Sequence, residues 1–309
     1  PDANNSSYAV YYEHKEQIDT FSQYEKDDKL GVLPILGAAA IGNLEKCKLL
    51  LKEGIDVNSV NDKGITPIFL AAINGHNEVF EFLLEKGADI HKINSKGENI
   101  LSFMFHKPQI ITAHTQGSIL PGYIHDTFED TNKITILKKI LTLDVDINKV
   151  DNIDMTPLLH AMDSKQPISI VSILVENGAN INSKNIKGKS AFNLRVYKGF
   201  GFYKFDNEES DLLKFFCNKG YDINSLDNNS NTVLRDAFWA YDSLLMKFLV
   251  ENGININGET GKEVLSLAQD YLLDYRKKEG GWNGNYSCFL EDTIRLLGGS
   301  PCYWDQKKR

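Results

Sequence analysis

A short phrase recurs along the chain and sets the period of its fold. It reads Gly-x-Asp/Asn-x-Asn in most copies, and the first residues of successive copies are 33, 57, 34, 42 and 33 residues apart. The copies are 54–58, 87–91, 144–148, 178–182, 220–224 and 253–257. Each spacing is about 33 residues, or that period with an insertion, and a fixed period of this length indicates a stacked repeat array.

The unit at 61–93 predicts the local structure of one repeat. Thr66 caps a first helix and Pro67 takes its first position, where the missing N–H costs nothing. Gly75 ends that helix, and a second, amphipathic helix extends to Gly87, because glycine readily adopts the left-handed backbone of a helix end. One such hairpin cannot bury its own apolar faces, whereas stacked copies can, so the sequence predicts an all-α fold.

The same unit carries a family resemblance. Residues 62–72 read Asp-Lys-Gly-Ile-Thr-Pro-Ile-Phe-Leu-Ala-Ala, followed by Gly-His at 75–76 and Leu-Leu-Glu-Lys-Gly-Ala-Asp at 83–89. These residues resemble the ankyrin repeat family. Phe69 replaces the family's histidine, and His160 falls one position late in a later repeat. The resemblance implies an ankyrin-repeat solenoid of about seven helix-turn-helix units, with degenerate terminal caps and loop insertions.

The register of the repeat predicts the domain organisation. An N-terminal capping segment at 1–27 precedes the array at 28–300, and a tail follows at 301–309. The predicted repeats are 28–60, 61–93, 94–150, 151–184, 185–226, 227–257 and 258–300. The third repeat carries an insertion at 107–132 and the fifth a shorter one at 199–208. Insertions in a repeat array emerge as loops on one face, which is often the binding face.

Composition and charge limit the classes of partner. Lys and Arg number 34 against 42 Asp and Glu, and the resulting net charge of −8 disfavours binding to a nucleic-acid backbone. The sequence shows no apolar run of about 18 residues, so we expect no membrane insertion. We expect a protein partner, a monomeric chain, and a location in the cytoplasm or, after secretion, in a host cell.

Sequence motifs of catalysis and metal binding are missing. The chain has no glycine-rich phosphate loop, no HExxH, no GxSxG and no CxxC pair. His106, His114 and His125 fall in or beside the long insertion, and exposed loop histidines are a better interpretation than a site that needs three side chains to converge. Cys288 and Cys302 lie near the end of the chain and would pair only in an oxidising compartment. We therefore expect no catalytic residues, no cofactor and no metal.

The family resemblance also implies a place for a partner. Turn tips and the exposed ends of first helices line a concave face in this family. Mapped onto this chain, these positions include Lys187, Lys189, Met155, Asp163, Tyr197 and Trp239, with Tyr241 just beyond them. Phe202 and Tyr203 of the second insertion join the candidate partner-binding residues, because they are aromatic where the repeat does not require apolar side chains. Tyr197 and Trp239 occupy the same place in successive repeats, so we expect their rings side by side. The alternative interpretations are a local aromatic core and a solvated basic face.

The predicted function is a non-enzymatic scaffold that binds a partner protein through its concave face. The chain has 28 Asn, 28 Ile and 29 Lys but 5 Arg, a bias typical of an AT-rich genome. With that bias, the repeats resemble the ankyrin proteins that intracellular bacteria deliver into host cells as effectors. An antitoxin or immunity protein that masks a basic toxin is the alternative. A third hypothesis is an enzyme assembled from the insertions at 107–132 and 199–208.

Overall fold

The computed structural model describes residues 34–105, 129–196, 207–277 and 284–299, and α-helices are the regular secondary structure of these residues, which contain no strand. The predicted capping segment at 1–27, the tail at 301–309 and most of the two insertions lie outside the described residues. In chain order the helices are α1 (Pro34–Ala40), α2 (Leu44–Lys52), α3 (Pro67–Ile73), α4 (Asn77–Glu85), α5 (Ile100–Met104), α6 (Glu129–Leu141), α7 (Pro157–Asp163), α8 (Ile168–Glu176), α9 (Ala191–Val196), α10 (Asn207–Asn218), α11 (Val233–Trp239), α12 (Ser243–Glu251), α13 (Glu259–Lys277) and α14 (Gly284–Leu296).

Two helices fall in each predicted repeat, from α1 and α2 in the first to α13 and α14 in the seventh. The prediction of an all-α repeat solenoid with about seven helix-turn-helix units is therefore confirmed. Pro67 and Pro157 each take the first position of a first helix. Thr156 caps α7 by accepting the N–H of Leu159 at 3.3 Å, whereas the buried Thr66 hydroxyl makes no such hydrogen bond in α3. Thr66 contributes an extended backbone to the start of that helix rather than the predicted side-chain cap.

First and second helices differ in how much of their surface is buried. Every residue of α3 is buried, and Phe69 and Ala71 have no exposed surface. In α4, by contrast, Phe80 and Leu83 are buried, and the opposite face remains accessible. Apart from the 19-residue α13, the first helices are short and surrounded by neighbours, so a change in the size or polarity of their side chains disturbs the packing of the adjacent repeats.

The chain divides into two compact units, and the division falls within the third predicted repeat. Of the described residues, the first unit comprises 34–96 and 129–145; in it α1 packs on α3, α2 on α4, and α4 on α6. The second comprises 97–105, 146–196, 207–277 and 284–299; in it the first helices α5, α7, α9, α11 and α13 pack in that order, and α12 packs on α14.

The recurring phrase forms the turn that follows each second helix. Its glycine has a left-handed backbone in most repeats, as at Gly178 with φ of 96°. Two positions later, an Asp or Asn side chain accepts the N–H of the phrase's last residue; Asp222 Oδ1 does so from Asn224 at 3.0 Å. The same bond recurs at Asp56, Asp89, Asp146, Asn180 and Asn255. The phrase therefore encodes a turn that ends one hairpin in a fixed conformation.

The final asparagine of the phrase links one repeat to the next. Asn182 Nδ2 donates to the carbonyl oxygen of Gly220 at 3.0 Å, and its Oδ1 accepts the N–H of Asp222 at 2.9 Å. Asn58, Asn148 and Asn224 make the same pair of hydrogen bonds to the phrase of the following repeat. We call these bonds the asparagine ladder. Each rung ties a side chain to backbone atoms, so it depends on the fold of the next repeat and not on that repeat's side chains.

We expect Asn182→Ala to lower the free energy of unfolding by about 1–2 kcal/mol, because it removes two inter-repeat hydrogen bonds at a partly hydrated site. Asn257→Ala is the matched control, since Asn257 ends the phrase of the sixth repeat and no rung extends from it within the part of the chain that the structure describes. Urea unfolding followed by circular dichroism measures both. Equal stability of the two variants would mean that the ladder contributes nothing.

Candidate functional site

The fourth, fifth and sixth repeats each begin with a turn. The side chain of the repeat's first residue holds that turn by hydrogen bonds. Asp151 Oδ1 accepts the N–H groups of Ile153 and Met155, both at 2.9 Å. Asn185 and Asp227 accept in the same way from the residues two and four positions later. The tips of these turns therefore have fixed backbones.

Neighbouring tips are also hydrogen-bonded to each other. The N–H of Ile186 donates to the carbonyl oxygen of Ile153 at 3.0 Å. Asn228 donates its N–H to the carbonyl of Lys187 at 3.2 Å and its side-chain amide to that of Ile186 at 2.8 Å. The tips of the fourth, fifth and sixth repeats thus form one continuous, ordered edge.

Large apolar side chains lie exposed at this edge. Ile153 is 52% exposed and Ile186 57%, and Val150 and Leu226, each directly before a turn, are 44% and 48% exposed. We call these four residues the tip row. Single exposed apolar residues are ordinary in proteins, but several on adjacent, ordered tips form a surface of the kind that marks interaction sites.

Two lysines of the predicted site have different environments. Lys187 is exposed at a tip. Lys189 has a side chain only 15% exposed, and its Nζ lies 3.1 Å from Asp227 Oδ2 and 3.0 Å from Asp236 Oδ1. Lys189 therefore joins the fifth repeat to the sixth, and we leave it out of the proposed partner surface.

The two carboxylates beside Lys189 respond differently to their surroundings. Burial raises the pKa of Asp236, because the ammonium of Lys189 and the amide of Asn193 only partly offset the loss of water. Burial would also raise the pKa of Asp227, but hydrogen bonds from the N–H groups of its turn and from Lys189 outweigh it and lower that pKa. The ammonium of Lys189 therefore compensates the negative charge of two buried carboxylates.

Two further residues of the predicted site are not freely accessible. Met155 is 5% exposed, because its side chain points into the core at the start of α7. It occupies the same repeat position as Ile65, which is also buried. Asp163 is half-buried at the end of α7. Met155 is therefore a core residue, and its contact with a partner stays a prediction.

The predicted aromatic residues of the sixth repeat contact other rings. Trp239 is half-buried and meets Phe238 edge-on at 5.5 Å and Tyr271 at 6.1 Å. Tyr241, also half-buried, meets Phe289 edge-on at 5.6 Å. These contacts join the sixth and seventh repeats, and they support the alternative of a local aromatic core. Tyr197, Phe202 and Tyr203 lie outside the described residues, so the expected pairing of Tyr197 with Trp239 stays a prediction.

Sequence reasoning missed a buried polar network in the fifth repeat. Arg195, 3% exposed, donates through Nε to both oxygens of Glu209 and through Nη1 to the carbonyl of Gln166. Asn193 donates to Asp236 Oδ2 at 2.8 Å. The signal that was available in the sequence is Arg195, since the equivalent first-helix residues of the other repeats include Ala71, Ala161 and Ala237.

The described residues offer little for covalent catalysis. Burial raises the pKa of the Cys47 thiol to about 11 and also raises that of Cys217, so both thiols are protonated at neutral pH. A cavity of about 280 Å³ is lined by residues of the fifth, sixth and seventh repeats. Its lining has one carboxylate, Glu259, among amide, hydroxyl and apolar groups.

Three buried side chains of the third and fourth repeats could hold a cation. A ligand atom from each of Glu98, Asp151 and His160 lies within 4.8 Å of the other two. His160 Nε2 is 3.0 Å from Asp151 Oδ2, so this histidine contacts the side chain of the turn. Burial would raise the pKa of Asp151, but the bonds from His160 and from two backbone N–H groups lower it.

Comparisons with known proteins agree with this architecture. A family model described as "Ankyrin repeats (3 copies)" matches residues 6–94, and one described as "Ankyrin repeat" matches residues 154–186. Ankyrin repeat and SOCS box protein 6 from Homo sapiens and from Pongo abelii are each 27% identical over 94 residues. That match covers 29% of this chain and 22% of either relative, so the chain spans about a fifth of their length. No helix among the described residues has the length and apolar character that a membrane crossing requires.

We expect Lys189→Met to lower the free energy of unfolding by about 3 kcal/mol near neutral pH, because it leaves two buried carboxylates without their cation. In this variant the folded-state pKa of Asp236 lies above its unfolded value. The deficit therefore shrinks as the pH falls and that carboxyl takes up a proton.

Lys187→Met is the matched control for that variant. Its side chain is exposed, so the change should stay within about 0.5 kcal/mol. Urea unfolding at about pH 7 and at about pH 5 measures both proteins. A deficit that is equal at both values would contradict the assigned role of Lys189.

We expect Trp239→Ala to lower the free energy of unfolding by about 2 kcal/mol, because its ring packs against Phe238 and Tyr271. Thermal melting measures the loss. An unchanged melting temperature would show that the ring is free for a partner, as the sequence predicted.

Proposed function

This chain is an ankyrin-repeat protein, and we propose that it is a protein-binding scaffold whose partner contacts the tip row and the neighbouring Lys187. Ankyrin repeats indicate a protein–protein interaction scaffold, and proteins of this family are generally non-enzymatic. The observation that carries the proposal is the pair of exposed isoleucines, Ile153 and Ile186, on tips joined by a backbone hydrogen bond.

Rigidity is what makes this edge suitable for binding. The turn bonds at Asp151 and Asn185 and the bond between tips fix the backbone before any partner arrives. A preordered surface loses little conformational entropy on binding, so more of the contact energy appears as affinity. Apolar anchors beside a lysine suit a partner whose own surface is apolar with acidic groups at its rim.

The predicted concave face enters the proposal as a second contact region. Asp163 and Trp239 lie at the ends of first helices, α7 and α11, where that face would begin. Tyr241 follows α11 and has a left-handed backbone with φ of 56°. We place these residues at the margin of the proposed site, because the two rings already contact other rings and Asp163 is half-buried.

For the biological setting, we propose an effector of an intracellular bacterium that acts on a host protein. The support is compositional: 28 Asn, 28 Ile and 29 Lys against 5 Arg, in a chain of ankyrin repeats. The net charge of −8 is the observation that favours the alternative, an immunity protein that masks a basic toxin. Capture of a eukaryotic protein from host lysate supports the first setting, and capture of a basic toxin from the producing cells supports the second.

The proposed binding surface is tested by replacing each of two exposed isoleucines with a charged residue. Ile186→Asp places a charge in the tip row, whereas Ile93→Asp places one on an exposed residue, 52% accessible, in the other compact unit. We expect Ile186→Asp to weaken binding of the captured partner at least about thirtyfold, and Ile93→Asp to leave it unchanged. Calorimetric titration measures the affinities, and thermal melting verifies that both variants fold. Equal affinities for Ile186→Asp and the unchanged chain would overturn the proposed surface.

A further inference from the structure

We propose that Glu98, Asp151 and His160 form a binding site for a divalent transition-metal ion, with Zn²⁺ as its representative. All three residues are buried, with exposures of 2%, 7% and 8%, and all belong to the second compact unit. Glu98 lies directly before Asn99, the residue that caps α5, and His160 lies in α7. The site therefore bridges the third repeat and the fourth.

The ligand set suits such an ion. Imidazole nitrogen and carboxylate oxygen are common zinc ligands, at about 2.0–2.2 Å from the metal. Two ligands on one ion at these lengths are separated by roughly 3 Å, and His160 Nε2 already lies 3.0 Å from Asp151 Oδ2. The third ligand atom, from Glu98, is within 4.8 Å of both. A short side-chain movement completes a three-residue set that leaves a position for water.

The orientation of Asp151 is fixed by its surroundings. Its Oδ1 accepts the N–H groups of Ile153 and Met155, so Oδ2 is the oxygen presented to the site. Hydrogen bonds of this kind orient the ligands of metal sites and support their affinity.

In a second cluster at the same repeat positions, a cationic side chain lies between two carboxylates. Lys189, Asp227 and Asp236 occupy in the fifth and sixth repeats the positions that Glu98, Asp151 and His160 occupy in the third and fourth. There the ammonium of Lys189 lies between the two carboxylates, at 3.1 and 3.0 Å. Asp227 Oδ1 accepts two turn N–H groups, as Asp151 Oδ1 does.

The charges of the two clusters differ in a way that favours an added cation at the first. With a neutral imidazole, Glu98, Asp151 and His160 sum to −2, whereas Lys189, Asp227 and Asp236 sum to −1. A divalent ion would add two positive charges beside the two buried carboxylates of the first cluster.

The full chain, treated with a chelator and then dialysed, tests the site with Zn²⁺ alone. We expect one Zn²⁺ per chain by calorimetric titration and a higher melting temperature when Zn²⁺ is present. Glu98→Gln and His160→Gln should each weaken binding at least about tenfold. His91→Gln is the matched control, because His91 is an exposed histidine of the first unit, and it should bind Zn²⁺ like the unchanged chain.

A double variant keeps the test decisive if a single variant fails to fold. Glu98→Lys with His160→Asp recreates the residue types of the Lys189 cluster, so it should fold without metal and show no response to Zn²⁺. Co²⁺ should give a visible d–d spectrum in the unchanged chain and none in the double variant. An unchanged chain that fails to respond to Zn²⁺, a double variant that responds equally, or a response to Ca²⁺ as large as that to Zn²⁺ would each overturn the proposal.

Discussion

The burial of the first helices between their neighbours is the constraint on which the rest of the structure depends. Apart from α13, each of these helices is too short and too apolar to be stable alone, and it loses contact with water only when adjacent repeats stack on it. A polar group placed there must therefore find its partner in a neighbouring repeat. Asn193 with Asp236, and Arg195 with Glu209 and Gln166, show how the fifth repeat meets that demand.

The sequence predicted the fold well because its strongest signals are local and repeated. The period, the glycines and the prolines at helix starts all act within one hairpin, so the register placed two helices in each repeat. The asparagine ladder was not predicted, although its residues define the recurring phrase. From the sequence alone, the side chain of an asparagine on a turn could equally be bonded to water. Only the distance between stacked repeats in the structure shows that the Asn182 side chain reaches the backbone of Gly220 and Asp222.

The candidate site was harder to predict because exposure depends on the neighbouring repeat. Lys189 is expected to be solvated from its position in a turn, yet two acidic residues of the next repeat draw it inward. Met155 follows the same turn pattern and is buried as Ile65 is. Trp239 was predicted as a partner contact because aromatic residues dominate interfaces, but rings of the seventh repeat lie against it. Conversely, the sequence alone does not indicate that Ile153 and Ile186 share a surface. That follows from the backbone hydrogen bond that joins their turn tips in the structure.

The asparagine ladder also bears on how such an array can change its length during evolution. Each rung ends on a carbonyl and an N–H of the next turn, and these atoms are present whatever side chains that repeat carries. A duplication that adds one whole period, or a deletion that removes one, places the asparagine of one repeat beside an equivalent turn of another repeat. The linkage is therefore interchangeable between modules, and recombination in phase preserves it while the exposed tips diverge.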